Sequence, residues 1–338
     1  MVSGAAGATE TTGAATTVGW TELWPEGAAS PEWSHSGAAV LSDGRFLFAE
    51  PGGQALIALD ETTGEATRVE TPTQVGHGLT VSSVEGREIV WIADPGDDSG
   101  GRILRFDWTT GSVAAMPDPL TLDGGLADDD PRLALPFRPT STAVVETPGP
   151  HFGELWVADG YGRSLVHRFG VDGSVLTIDG PDTGVAFDCP HGIAVDTRAQ
   201  EPRIVVADRL HSRLVFLDLE GRAVGVVTDE TVAGSAAMRR PSSLAQRGSR
   251  ILVTDLVGAL LSVSPEGRIA EVLPSSVDDE RPGWPNALDA SGATVRPPLV
   301  EGHLNSPHGI AVGPAGQVYL TEWLLGGRQL RLDLEPPA

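Results

Sequence analysis

Short runs of three or four apolar residues recur along the chain, each ending on a small residue and then an acid. The run appears as Phe46-Leu47-Phe48-Ala49-Glu50, Val90-Trp91-Ile92-Ala93-Asp94 and Leu155-Trp156-Val157-Ala158-Asp159. It returns as Val205-Val206-Ala207-Asp208, Leu252-Val253-Thr254-Asp255 and Tyr319-Leu320-Thr321-Glu322. A second strand-like run follows each, as in Arg102-Ile103-Leu104-Arg105-Phe106 and Arg213-Leu214-Val215-Phe216-Leu217. Turns such as Asp172-Gly173, Glu220-Gly221 and Glu266-Gly267 come after several of these, which is the punctuation of short antiparallel strands. Before each copy stands a further strand signal rich in small residues. It runs Ser36-Gly37-Ala38-Ala39-Val40, His77-Gly78-Leu79-Thr80-Val81, Thr140-Ser141-Thr142-Ala143-Val144, His191-Gly192-Ile193-Ala194-Val195, Ser242-Ser243-Leu244-Ala245-Gln246 and His308-Gly309-Ile310-Ala311-Val312.

Small residues suit innermost strands that crowd around one axis. The six starts are spaced 41, 63, 51, 51 and 66 residues apart, and a four-stranded blade takes ~40–50. The pattern predicts an all-β fold, a six-bladed β-propeller forming a single domain over residues 18–338. The strand-like segment Val18 to Trp24 is expected to supply the outer strand of the last blade, and residues 1–17 to be a disordered tail. The two long intervals carry insertions, residues 116–136 and 274–303. Both join the outer strand of one blade to the inner strand of the next, so both are expected on the face where inner strands begin, as rims or lids.

Composition narrows the function. Gly and Pro number 42 and 26 of 338 residues and aromatics make up 5%, which argues against a helical bundle. The 23 basic residues against 46 acidic give a net charge of −23. Such a surface repels phosphate backbones, so no nucleic acid and no anionic membrane is expected as a partner. All basic residues are arginine, which excludes a catalytic lysine, a Schiff base and a P-loop lysine. Cys189 is the single cysteine, so no intrachain disulfide forms. The first 17 residues have neither a basic n-region nor an apolar h-region, and no run approaches a membrane span. The expectation is a cytoplasmic monomer, or a secreted one if a leader has been removed.

Aligning the six repeats exposes a site. The first residues of the inner strands are Ser36, His77, Thr140, His191, Ser242 and His308. Blades 2, 4 and 6 carry histidine, and blades 1, 3 and 5 carry a small hydroxyl residue. A lone histidine is more often a surface or satisfied core residue than a ligand. Three in one repeat position, in alternate blades, would converge at one end of the axial channel. That is the geometry of a three-histidine metal site with open positions, suited to Zn²⁺. Each second ring nitrogen then needs a partner such as a loop carbonyl. His151, His167 and His211 read as surface residues; His35 and His303 lie near the same rim. Tyr161, after the second strand of blade 3, opens onto the same face and could act as a base or a ligand. Arg209, in the matching loop of blade 4, could bind an anionic group, or pair with a neighbouring blade. The acids ending the second strands, Glu50, Asp94, Asp159, Asp208, Asp255 and Glu322, read as structural acceptors of loop amides.

These residues resemble a known family. Arg138-Pro139-Thr140 through Asp159-Gly160-Tyr161-Gly162-Arg163, with Phe187-Asp188-Cys189-Pro190-His191-Gly192 and Ala207-Asp208-Arg209, looks like peptidyl-α-hydroxyglycine α-amidating lyase, an NHL-repeat six-bladed propeller. Gly76-His77-Gly78-Leu79 and Ser306-Pro307-His308-Gly309-Ile310 extend the resemblance, which covers most of residues 36–325. It implies a catalytic zinc on His77, His191 and His308, a catalytic tyrosine at Tyr161 and an arginine at Arg209. The implied reaction cleaves an α-hydroxyamide or hemiaminal C–N bond, giving an amide and a carbonyl compound such as glyoxylate. Three positions depart. Gly309 stands where the family has an acid tied to a structural Ca²⁺. Glu50-Pro51 stands near a family arginine. Gly162 replaces a disulfide cysteine. The metal centre is therefore expected to be kept and the small-molecule or peptide-like substrate to differ. Two other readings stand beside the lyase: a metal-dependent lactone or ester hydrolase on the same site, and a non-enzymatic NHL-repeat scaffold.

Overall fold

A computed structural model describes residues 18–24, 29–84, 86–122 and 125–335. The tail expected over residues 1–17 lies outside the described residues. Six four-stranded antiparallel sheets follow one another around a ring, so the chain is a six-bladed β-propeller. The inner strands are Ala38–Val40, Gly78–Val84, Ser141–Val144, Pro190–Asp196, Pro241–Arg247 and Pro307–Val312. Each pairs with the apolar run that follows it, for example Ala143 opposite Trp156 and Ile193 opposite Val206.

The ring closes through the N-terminal strand. Val18–Glu22 pairs antiparallel with Arg328–Leu334, Val18 opposite Leu334 and Glu22 opposite Leu330, and becomes the outer strand of the sixth blade. The last sheet is thus built from both ends of the described chain.

The core is divided among the seams. Six apolar clusters each take residues from two neighbouring blades. One unites Trp156, Val166 and Ile178 of blade 3 with Ile204, Val206 and Val215 of blade 4. Another unites Leu252 and Leu260 of blade 5 with Ile310, Leu320 and Leu330 of blade 6. Every blade is packed on both faces, which is why its middle strands read as unbroken apolar runs rather than alternating ones. At the centre the inner strands leave an axial channel of about 300 Å³ lined by residues of all six blades.

His167, read from sequence as a surface residue, is instead fully buried. It lies mid-strand in Leu165–Phe169 with Nδ1 on Thr177 Oγ1 at 3.0 Å and Nε2 4.0 Å from Asp159, so the apolar seam encloses it. His151 and His211 are partly buried and bonded to carboxylates, Glu154 and Glu220 for the first and Asp208 for the second.

Candidate functional site

The loops entering the inner strands are held by the repeated acids. Asp94 accepts the amides of Gln74 and Val75 ahead of His77, at 3.0 and 2.9 Å. Asp159 accepts Arg138 N–H ahead of Thr140, and Asp208 accepts Asp188 N–H ahead of His191. Asp255 accepts Arg239 and Arg240, and Glu322 accepts Asn305 and Ser306 ahead of His308. Each carboxylate latches residues two or three positions before the first inner-strand residue. Glu50 is the exception: its carboxylate turns to the Arg68 guanidinium on the outer strand of its own blade. The segment it would latch, Trp33–Ser34, is held by pairing with Leu324–Leu325 of blade 6.

The three register histidines meet at the axis. His77, His191 and His308 are each 1% exposed. The Nδ1 of each is bound by a main-chain carbonyl of the next blade: Thr140 at 2.7 Å, Ser242 at 2.8 Å and Ser36 at 2.9 Å, respectively. A carbonyl only accepts, so each Nδ1 carries the hydrogen and each Nε2 keeps its lone pair. The Nε2 of His77 lies 3.2 Å from that of His191 and 3.1 Å from that of His308. Lone pairs facing one another at this distance repel unless a cation or proton sits among them. Nitrogens ~2.0–2.1 Å from one tetrahedral zinc would be about 3.3 Å apart. The donor set and its spacing fit such an ion.

The sequence around the ring makes room for it. Glycine follows each histidine, and a Cβ there would strike the next blade. At Gly78 it would lie 2.5 Å from Thr140 O, at Gly192 2.5 Å from Ser242 O, and at Gly309 2.6 Å from the Gly37 carbonyl carbon. The inner strands approach so closely that position 309 has no space for the acid that the resemblance associates with Ca²⁺. The small hydroxyl residues of the alternate blades leave the axis to the imidazoles.

Tyr161 and Arg209 both reach the ring. The Tyr161 hydroxyl is 3.1 Å from Nε2 of His77 and 3.1 Å from Nε2 of His191. Arg209 Nη1 lies 3.5 Å from that hydroxyl and Nη2 3.4 Å from Ser242 Oγ. Arg209 is buried, its Nε has no partner, and no carboxylate pairs with it among the described residues.

A fourth histidine joins them. His35 Nε2 is 3.3 Å from the Tyr161 hydroxyl, and its ring packs edge-on against His77 and His308 at 4.3 and 4.6 Å. His35, His77 and His308 also place one nitrogen each within 4.8 Å of one another, a second way to hold a metal. His35 precedes the repeat position by one residue, so no register points to it. Its only sequence signal is adjacency to Ser36. The other rim histidine, His303, bonds Ser276 in the 274–303 insertion.

Burial dominates the protonation of the site. It holds the imidazoles of His35, His77 and His191 well below the usual histidine range, with the neighbouring histidines acting in the same direction on all three and Arg209 on His35 and His191. His308 is lowered to about 3 by burial and then Arg209. Neutral imidazoles are what a metal requires. Burial pushes the Tyr161 phenol up, and the Arg209 charge opposes that rise.

Both insertions border this face. Arg163, in the Tyr161 loop, binds Asp118 and Leu135 O of the 116–136 segment. Trp284, in the other, donates to Asn305 O beside His308 and packs on Trp323. Next to His35 a cavity of about 370 Å³ opens between blades 6, 1 and 2, lined by Trp33, Trp323, Val75, Glu32 and Glu50 among others.

No protein-family model matches the chain, and no curated protein matches its sequence. Solved structures do match. A streptogramin B lyase superposes with a TM-score of 0.58 at 16% identity, covering 94% of this chain and 98% of the other. The shared fold is the six-bladed β-propeller. A luciferin-regenerating enzyme gives 0.57 at 13% identity over 96% and 98%, and a putative gluconolactonase 0.56 at 14% over 95% and 93%. A catalytically inactive histidine-to-alanine form of virginiamycin B lyase from Staphylococcus aureus, solved with quinupristin, gives 0.56 at 12% over 94% and 99%. At these identities the similarity is one of fold.

Proposed function

We propose that this protein is a zinc-dependent lyase of the amidating-lyase type, cleaving the C–N bond of an α-hydroxyamide or related hemiaminal. The observation that carries the reading is the set of three Nε2 lone pairs brought together by Nδ1–carbonyl bonds across three seams. His77, His191 and His308 would hold the ion, with Tyr161 and His35 at its open side. A bound zinc supplies a Lewis acid that acidifies a substrate hydroxyl without redox change.

The protein's own groups manage the proton and the charge. In the cleavage, the hydroxyl proton leaves, a C=O bond forms, the C–N bond breaks and the amide nitrogen gains a proton. Tyr161, kept as a neutral phenol by burial, would hand its proton to the departing nitrogen and recover one from the hydroxyl. Arg209 offers a buried guanidinium without a carboxylate partner to a substrate carboxylate or developing oxyanion. The lyases among the fold neighbours are consistent with this reading.

The second reading, a metal-dependent lactone or ester hydrolase, is favoured by the putative gluconolactonase neighbour. The first test is metal analysis of the purified protein by plasma mass spectrometry, beside the His77→Ala/His191→Ala double mutant. About one zinc per chain, lost in the mutant, supports the metal site; no metal after zinc is offered overturns both enzyme readings. Turnover in ¹⁸O water then separates the two, since only hydrolysis places solvent oxygen in an acid product.

A further inference from the structure

Blade 1 breaks the latch rule, and the break coincides with the cavity. Five acids clamp the loop before their inner strand, but Glu50 is drawn outward by Arg68. The loop carrying Trp33 and His35 is therefore held from blade 6, through Trp33 opposite Leu325 and Ser34 opposite Leu324. The space left behind is the 370 Å³ cavity, within the ~300–1,000 Å³ range of ligand pockets. Its inner end is His35, the one histidine of the cluster that is not fully buried.

The walls are aromatic. Trp33 is 41% exposed, a large apolar surface left open at the mouth. Trp33 packs on Trp323 at 5.5 Å, and Trp323 stacks on the His35 ring at 5.4 Å with 29° between planes. His35 Nδ1 has no hydrogen-bond partner among the described residues. A continuous aromatic surface thus runs from the protein exterior to the Tyr161 hydroxyl. Among the described lining residues the ionised groups are Glu32 and Glu50, and Glu50 is paired with Arg68.

We propose that this cavity is a substrate subsite for a flat, uncharged aromatic group, seated against Trp33 and Trp323, with the scissile end turned past His35 to Tyr161. The placement of the scissile end rests on the reaction proposed above; the aromatic preference does not. A ring leaving water for these walls gains hydrophobic and stacking energy, whereas a carboxylate on it would meet Glu32 and no cation among the described lining residues.

Equilibrium binding tests the subsite without turnover. N-acetylphenylalaninamide and N-acetylalaninamide are titrated into the purified protein by calorimetry, with N-acetyl-4-carboxyphenylalaninamide as the charged control. The expected result is about ten- to hundredfold tighter binding of the phenyl amide than of the alanine amide, and loss of that advantage with the carboxylate. Val75→Phe, which fills the cavity from its wall, should abolish the advantage and leave the alanine amide unchanged. Trp323→Leu, with its fold checked by circular dichroism, should reduce it. Equal binding of the phenyl and alanine amides, binding of neither, or an advantage that survives Val75→Phe overturns the subsite. An advantage that disappears in Val75→Phe while no α-hydroxyamide is turned over upholds the subsite and defeats the lyase reading.

Discussion

At the residue scale, the site depends on which nitrogen of each histidine carries its hydrogen. The carbonyls of Thr140, Ser242 and Ser36 fix that choice. Replacing His308 by alanine should therefore remove stoichiometric zinc and lower kcat/KM by about a thousandfold, read by metal analysis and kinetics on the same preparation. Tyr161→Phe should keep the metal and lower kcat by roughly 10²–10⁴-fold with little change in KM, as expected for a proton-transfer group. The buried histidines also predict an acid weakness in the metal-free protein. Their folded pKa values lie below the ordinary ~6.5, so between that value and about 3 for His308 the unfolded chain binds more protons. Stability is full above pH ~6.5 and falls as pH drops, by about 1.4 kcal/mol per pH unit for each such group. Urea midpoints at pH 7, 6 and 5 should show this slope, and His308→Gln should flatten it by one proton's share.

At the scale of elements, the latches explain the acid that ends the second strand in five of the six blades, Glu50 being the exception. Asp94→Ala would strip the acceptor from the Gln74 and Val75 amides, costing about 2–3 kcal/mol, and would loosen the loop that presents His77. Glu50→Gln should cost less than about 1 kcal/mol, because its partner Arg68 is exposed. Denaturant midpoints of the two variants, measured together, check the contrast. The repeat made most of this legible beforehand. Six runs in one register gave the blades, and the alternation of histidine with hydroxyl residues gave His77, His191 and His308 at the axis. Tyr161 was legible because its loop is the third-blade version of a position that faces the same rim. Departures from the repeat were legible only in part, His35 as no more than a residue near the same rim. His35 sits one residue outside the register, and its approach depends on Trp33–Ser34 being borrowed by blade 6, a pairing between residues almost 300 positions apart. The burial of His167 follows from a seam that closes over a polar residue in an otherwise mixed strand, a tertiary effect that composition does not carry. The outward turn of Glu50 depends on Arg68, 18 residues later on the outer strand.

At the scale of the whole molecule, the ring is held by its last seam. Val18 and Trp20 pack with Leu330 and Leu332 in the blade 5–blade 6 cluster, and the strand that carries them completes blade 6. Deleting the chain through Glu22 should cost about 3 kcal/mol or more and lower Tm by about 4 °C or more, measured by calorimetry against deletion of residues 1–17 alone. The next seam, between blades 6 and 1, gives the histidine ring a second role. His308 is pinned to Ser36 across the boundary where the first and last blades meet. An ion shared by His77, His191 and His308 would tie three alternate staves of a barrel with a single hoop. Opening the barrel and releasing the ion then become one event, governed by one linked equilibrium. Free ion at a hundred times its Kd would oppose opening by about 2.7 kcal/mol. The rate at which a protease cuts the opened ring should then report how much metal surrounds the protein.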